Sequence, residues 1–422
     1  MNQKLFQLSI AGVHGRYSKL LEKRPDYGDA VTFENVKNIP VYNWFYFKEA
    51  FSPRLIWRIL DEFNIKNKIK KESYVLDPFC GVGTTLLACK DIGYNSIGFD
   101  ILPLCVFVSN TKLQDDYDMA VLKEKIDEIT SLRCDKKKRK WPDIKFFDIK
   151  RAYPHYTYSD ILFLREKIME IEDEKIRNFL FLGLLSIIIG SGNVKRDGGV
   201  LKIIKRRNIP PVRILLKNRL RRMYKDLKER NPLHGEIKAE ARLGDARNLS
   251  VKNDFFDICI TSPPYLNWVD YTKVYALELS LLLNSGREIS RLRKKTLRSH
   301  IGAKKIKKIS PISERLFRTM EILRENPDPK KRPEIVEGYF SDIYLSLKSI
   351  YASLRDNGIA VIVIGNSCMP SLTIDSDLIM AELSEDIGFD VEKIMVANVR
   401  WCDVHGIKKE RPVRESILIL SK

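Results

Sequence analysis

Apolar positions along this chain follow two periods, and the switches between them outline the fold. "IAVIVIG" (359–365) is apolar at nearly every position and rich in β-branched residues, which predicts a strand buried on both faces. Phe255 to Thr261 read the same way and stop at Ser262-Pro263-Pro264-Tyr265, where two prolines can continue neither a strand nor a helix. In "SYVLDPFCGVGTTLLACKDIGYNSIGFDI" (73–101), a strand at Tyr74–Leu76 leads into a turn at Asp77–Gly83. A helix follows from Thr84 to Lys90, then a strand at Ser96–Phe99 closed by Asp100, which makes a βαβ unit. Further strands are expected at 240–243, 254–261, 391–400 and 414–420, and helices at 338–354 and 376–387. Together these predict an α/β fold, a Rossmann-like, seven-stranded, mostly parallel sheet with helices on both faces. Residues 117–239 break the alternation with helical, amphipathic patterning, clearest at 159–190 and 212–230, and 285–335 break it again with basic helix and loop character. There is no internal repeat, and "KKKRK" (136–140) reads as a solvated loop.

Composition adds limits. With 422 residues, 44% hydrophobic and 31% charged, the chain can bury one large core or two. No apolar run reaches the ~18 residues of a membrane span, Phe179–Ile189 being the longest candidate, and "MNQKLFQLSI" lacks a signal-peptide pattern. Seven cysteines without a Cys-x-x-Cys pair, among them Cys80, Cys89, Cys105, Cys259 and Cys368 in apolar stretches, are expected to be reduced core thiols of a cytoplasmic protein. Five dispersed histidines give no metal-ligand spacing, so no metal is expected. The net charge of +19 is concentrated: residues 191–230 hold 14 Lys/Arg against 3 Asp/Glu, and 287–308 hold 10 against 1. Two basic segments on a balanced body suggest a polyanion footprint.

The glycine-rich turn narrows the chemistry. Gly81 and Gly83 allow a tight turn and close approach to a ligand ahead of a helix N-terminus. A phosphate-gripping loop would need Gly-Lys-Ser/Thr, whereas Gly83 precedes Thr84-Thr85; the dinucleotide pattern fails because Leu86 stands at its third glycine. Asp77 and Asp100 instead end two successive strands. A carboxylate at the second strand's tip can accept both hydroxyls of a ribose, and one beside the turn suits an ammonium group. A ligand with a nucleoside end and an amino-acid end fits both.

Taken together, "DPFCGVGTT", "GFD" and "TSPPY" resemble the amino-group DNA methyltransferases that use S-adenosylmethionine. "YNWFYFKEAFSPRLI" (42–56), "RLGDARNL" (242–249), "GYFSDIYLSLKSIYASLRDNGIAVIVIGNS" (338–367) and "RPVRESILIL" (411–420) extend the resemblance over about 42–110 and 240–420. It implies a cofactor site of Phe51, Ser52, Asp77, Pro78, Phe79, Gly81, Gly83, Thr84, Asp100, Ile101, Asp245 and Ala246, with Asp245 near the adenine. It implies that Ser262 and the carbonyl of Pro263 accept the hydrogens of an exocyclic amine, that Pro264 stiffens the corner, and that Tyr265 stacks on a base swung out of the duplex. Asp270 and Tyr271 fit either the floor of a base pocket or a structural role. Thr84 and Thr85 also suit the start of a helix, and Arg414 with Glu415 suits a sheet-end ion pair without a role in the chemistry. Cytosine C5 methylation would need a Pro-Cys nucleophile, and the chain has no Pro-Cys pair.

Serine in the motif favours cytosine N4 over adenine N6 as the target in double-stranded DNA, in a restriction-modification context with a cognate endonuclease as a candidate partner. Adenine N6 is the alternative, followed by an RNA guanine-N2 enzyme and a non-catalytic DNA-binding protein. The cofactor turn precedes the catalytic motif, which resembles members whose target-reading region lies between the two. The expected organisation is 1–116, cofactor half of the core; 117–239, basic helical insertion for target recognition; 240–284, catalytic motif; 285–335, second basic insertion; and 336–422, the rest of the core. The DNA-contact candidates are Lys195, Arg196, Arg206, Arg207, Arg219, Arg221 and Arg222 in the first insertion, and Arg293, Lys294, Lys295, Arg298 and His300 in the second.

Overall fold

The computed structural model describes residues 3–422 apart from 33, 48–49, 66–68, 71, 231–236, 301, 304–312, 326–332, 370–371 and 405–406. Its strands are β1 (Leu21–Lys23), β2 (Tyr74–Asp77), β3 (Asn95–Asp100), β4 (Val194–Asp197), β5 (Val200–Ile203), β6 (Ala239–Leu243), β7 (Phe256–Thr261), β8 (Leu354–Gly365), β9 (Ser367–Met369), β10 (Leu372–Ile374), β11 (Asp390–Val404) and β12 (Ile407–Ser421). The main sheet runs β1-β11-β12-β8-β7-β2-β3-β6. From β6 to β8 every pairing is parallel, β12 runs antiparallel to both β8 and β11, and β1 pairs parallel with β11. The seven expected strands are present, and β1 adds an eighth at the edge.

The two-faced burial read from the apolar runs follows directly from the strand period of two. Ile359, Val361 and Val363 of β8 enter the core on one face, and Ala360, Ile362 and Ile364 enter the core on the other. β12 divides likewise, with Ile417 and Ile419 on the first face and Leu418 and Leu420 on the second. Each Val, Ile or Leu among them is essentially fully buried, worth about 1.5–3 kcal/mol of apolar transfer. Helices Pro53–Ile65, Thr84–Ile92 and Pro103–Leu113 cover the first face, and Pro333–Ser353 and Ser376–Ile387 cover the second.

Residues 117–239 contain helices Met119–Ser131, His155–Met169, Glu174–Ile187 and Val212–Glu229, so the stretch read as helical from 159 to 190 is broken near 170. Their apolar faces join the same core cluster as the first face of the sheet. This region also holds an antiparallel hairpin, β4–β5, which the helical patterning does not predict. The 136–140 stretch is a loop with Lys136, Lys137, Lys138 and Lys140 exposed, as expected, while Arg139 is drawn inward by Asp135 and Glu166. Cys80, Cys89, Cys105, Cys259 and Cys368 are buried free thiols. Among the described residues, no helix is long and apolar enough to cross a membrane, and no group of His, Cys, Asp or Glu could hold a metal ion.

Strand order reverses between β2 and β7: β3 and β6 lie on one side, and β8, β12, β11 and β1 lie on the other. Sheets of this kind leave a crevice at the carboxyl ends of the strands flanking such a reversal. Here those ends are Asp77 and Thr261, joined by a hydrogen bond from Thr261 Oγ1 to Asp77 Oδ1 of 2.6 Å.

Candidate active site

One cavity of about 670 Å³ opens at this crevice and collects most of the residues singled out from the sequence. Phe51, Asp77, Pro78, Phe79, Gly81, Thr84, Asp100, Ile101, Asp245 and Ala246 line it together with Ser262, Pro263, Pro264 and Tyr265. Motifs far apart in the chain thus share one wall, Asp77 and Thr261 being 184 residues apart, because β2 and β7 are neighbours in the sheet.

The glycine turn is built around two carboxylates. Asp100 accepts from the backbone amides of Gly81 (3.0 Å) and Leu102 (2.8 Å), which locks the turn against the end of β3. Asp77 is almost fully buried and accepts from the hydroxyls of Thr85 (2.5 Å) and Thr261 (2.6 Å) and from the Phe79 amide (3.1 Å). Burial pushes both carboxyls up, Asp77 to about 6 and Asp100 to about 7. A partly exposed carboxylate at one end, a buried one on the floor, and Phe47, Phe51, Phe79 and Ile101 around them suit a nucleoside with an amino-acid tail.

Two expected cofactor residues work behind the cavity instead. Gly83 has φ of +77°, and a Cβ on it would meet Ser109 Cβ at 2.8 Å, so its glycine lets two helices approach. Ser52 is fully buried at the start of helix Pro53–Ile65, where its carbonyl accepts from the Leu55 amide. Asp245 lines the cavity, but its carboxylate is held by Arg247, with Nη2 to Oδ2 at 2.6 Å.

The proline corner is fixed from both sides. Tyr339 Oη donates to the carbonyl of Pro264 (2.9 Å), and Tyr265 Oη donates to Glu415 Oε1 (3.1 Å). The Tyr265 ring lies on Gly365 of β8, where a Cβ would come within 2.8 Å of it. Arg414 and Glu415 do not pair with each other. Arg414 is buried between Asp377 and Asp375, while Glu415 turns into the cavity with Asn398 and Arg400.

Half of the candidate DNA contacts are occupied inside the protein. Arg196 is hydrogen-bonded to buried Glu278 and lies 4.5 Å over the Tyr275 ring. Arg206 donates to the carbonyls of Gly190 (3.3 Å) and Val194 (2.9 Å). Arg219 donates to Ser186 Oγ (3.0 Å) and to the carbonyls of Asn43 (2.6 Å) and Trp44, and burial lowers its guanidinium to about 10. Arg293 is bonded to Asp270, and Arg298 is buried against Asp342 at 2.7 Å. His300 lines the cavity; its Nδ1 accepts from the Gly302 amide, so Nε2 carries the hydrogen toward Thr296 Oγ1, and burial lowers its pKa and favours the neutral ring. These six are structural or cavity residues rather than free phosphate contacts. Lys195, Arg207, Arg221, Arg222, Lys294 and Lys295 are exposed. Part of the second basic segment, 301 and 304–308, lies outside the described residues.

Other parts of the wall carry no motif. Phe47 stacks on Tyr275 with centroids 4.8 Å apart and planes 10° apart, and the β4–β5 turn at Gly198-Gly199 closes in beside Val269. The Phe47 segment is clamped to helix Val212–Glu229: Arg219 holds two of its carbonyls, and Asp226 accepts from Trp44 Nε1 at 2.9 Å. Lys112, buried and lowered to about 7 by desolvation, donates to the carbonyls of Tyr42 and Val82, joining this segment to the glycine turn. The aromatic run at 42–47 is the only sequence signal for any of this.

Residues 26–106, from the segment before Phe47 through the glycine turn and β3, match a family model of N6/N4 methyltransferase type described as DNA methylase. Over that stretch the chain is similar to the amino-group DNA methylases. Its methyl donor is S-adenosylmethionine, and its substrate is DNA. The methylase is 27% identical to Type II methyltransferase M.BsoBI of Geobacillus stearothermophilus, over 94% of this chain and 88% of that protein. It is 28% identical to Type II methyltransferase M.AvaI of Anabaena variabilis, over 87% of this chain and 82% of that protein. A stretch of 130 residues, 28% of the chain and 23% of the relative, is 32% identical to Type II methyltransferase M.MjaII of Methanocaldococcus jannaschii.

Proposed function

We propose that this methylase acts on the exocyclic N4 of cytosine at a specific site in double-stranded DNA, as a cytoplasmic Type II modification enzyme with a cognate endonuclease as its functional partner. The observation that carries the reading is the Ser262-Pro263 corner, which opens on the same cavity as the Asp100 turn. An exocyclic amine is a poor nucleophile because its lone pair is delocalised into the ring. Two acceptors that hold its hydrogens pull the nitrogen toward tetrahedral geometry and expose the lone pair. Ser262 Oγ and the Pro263 carbonyl are the acceptors in this reading, kept in place by the rigid prolines and the Tyr339 bond to Pro264. Bound S-adenosylmethionine supplies an electrophilic methyl group, and no covalent enzyme intermediate is needed. Tyr265 offers a face for the extruded base. Serine rather than aspartate at position 262 supports cytosine.

The exposed Lys195, Arg207, Arg221, Arg222, Lys294 and Lys295 supply phosphate contacts in this reading. Digesting methylated DNA to nucleosides identifies the base: N4-methylcytosine is expected, and N6-methyladenine would replace this reading with the adenine one. Ser262→Ala should leave cofactor affinity nearly intact and slow single-turnover transfer by roughly a hundredfold or more, the usual cost of losing a preorganised polar partner. Transfer at the parent rate would show that the corner is only a turn.

A further inference from the structure

We propose that Glu415 is the terminal proton acceptor of methyl transfer, reached from the target amine through Ser262 and Tyr265. The proposal rests on the function proposed above and adds the route by which the proton leaves. Glu415 sits on β12, opposite Gly365 of β8 and Asn398 of β11, at the cavity wall. Tyr265 Oη donates to its Oε1 at 3.1 Å, and Ser262, three positions before Tyr265 in the proline corner, lines the same cavity wall. In the proposed relay both O–H groups point one way, from Ser262 to Tyr265 and, as the bond to Oε1 shows, from Tyr265 to Glu415. That direction leaves the lone pairs of Ser262 Oγ free for the hydrogens of an amine. Gly365 makes the arrangement possible, since any side chain there would displace the Tyr265 ring.

A nitrogen that gains a methyl group is cationic until it loses a proton, and a serine hydroxyl cannot retain that proton at neutral pH. The balance closes along the chain of hydroxyls. The nitrogen lone pair forms the new N–C bond as the donor's C–S bond breaks, with that electron pair left on sulfur. One N–H bond then breaks, and its pair returns to nitrogen. Ser262 Oγ takes the proton while passing its own to Tyr265 Oη, which passes its own to Glu415. A cation and a carboxylate become a neutral methylated amine and a carboxylic acid.

The surroundings of Glu415 fit a proton acceptor. Burial raises its carboxyl above the usual range, and Arg400 of β11 opposes that rise without pairing it at close range in the manner of the Arg414 pair. Its other neighbours, Asn398 and Gly365, are uncharged, and Arg414 on the opposite face of β12 is already held by Asp375 and Asp377.

The test is single-turnover transfer across pH with saturating DNA and labelled S-adenosylmethionine, alongside calorimetric cofactor affinity. The wild-type rate should fall as pH drops through the Glu415 pKa. Glu415→Gln keeps an acceptor for Tyr265 but cannot take a proton; it should lower the rate on the order of a hundredfold. It should also flatten the acid limb and leave cofactor affinity unchanged. Tyr265→Phe keeps the ring, cuts the relay and should show the same deficit, while Glu415→Asp should restore part of the rate and the acid limb. Difference infrared spectroscopy should show a carboxylic-acid band that titrates with that limb and vanishes in Glu415→Gln. If Glu415→Gln keeps the parent rate and pH profile while Ser262→Ala is slow, the relay is wrong and the site stands. If Ser262→Ala is also unimpaired, the proposed function itself fails.

Discussion

Asp100 gives the sharpest test of the cofactor site, because its environment makes a pH signature that a generic wall residue would lack. Its two oxygens already accept from the Gly81 and Leu102 amides, yet burial holds the carboxyl at about 7. Ribose hydroxyls bind better to the carboxylate than to the acid, so binding should lower this pKa. Below about pH 7 the free protein is then largely protonated at Asp100, and cofactor binding should release close to one proton, about 0.9 at pH 6. Affinity should weaken as pH falls below that point, by up to roughly tenfold per unit. Asp100→Ala also removes charge-assisted hydrogen bonds of about 1.5–3 kcal/mol each, at least a tenfold loss at pH 8. Asp100→Asn should bind weakly with no proton release from this position, since its amide can serve only one of the two backbone donors. Calorimetry in buffers of different ionisation enthalpy measures the proton count, and a thermal melt checks the fold. A wild-type affinity independent of pH from 5.5 to 8, or the same proton release in Asp100→Asn, would refute the assignment. The stability sign is opposite: with folded pKa values of Asp77 and Asp100 above their unfolded ones, the ligand-free protein should lose stability as pH rises from about 4 to 7.

Arg219 and its neighbours on the same helix should separate cleanly. Neutralising Arg221 and Arg222 should flatten the plot of log K for DNA against log salt by about 0.9 for each phosphate they pair, whereas Arg219→Ala should leave the slope alone and weaken cofactor binding by loosening the Phe47 segment. Gly365→Ala would force a Cβ to within 2.8 Å of the Tyr265 ring, so transfer should slow while cofactor affinity in calorimetry stays near the parent value. Arg298→Ala should leave buried Asp342 with Arg247 as its remaining cation, costing about 1.5–3 kcal/mol in denaturant unfolding with no change in the salt slope.

The chain's own patterning determined the sheet, its two buried faces and the turn chemistry at two strand ends. Those features are local: β8 alternates residue by residue between two cores, and the prolines after Thr261 end β7 without help from elsewhere. The motifs at Asp77, Asp100 and Ser262 were legible for the same reason, since each is a short run with its own backbone demand. What a charged side chain does was decided only by tertiary structure, because its partner is set by distance in space. Arg196 reads as one more cation in a basic segment, but Glu278, 82 residues on, takes its charge. Arg219 lies in an arginine-rich helix face, but carbonyls 175 and 176 residues away absorb its donors. Glu415 shows the converse. It sits midway along an ordinary last strand, and only the pairing of β12 with β8 carries it to the hydroxyl of Tyr265, 150 residues earlier. Burial then gives that carboxylate the raised proton affinity that its sequence neighbours could not.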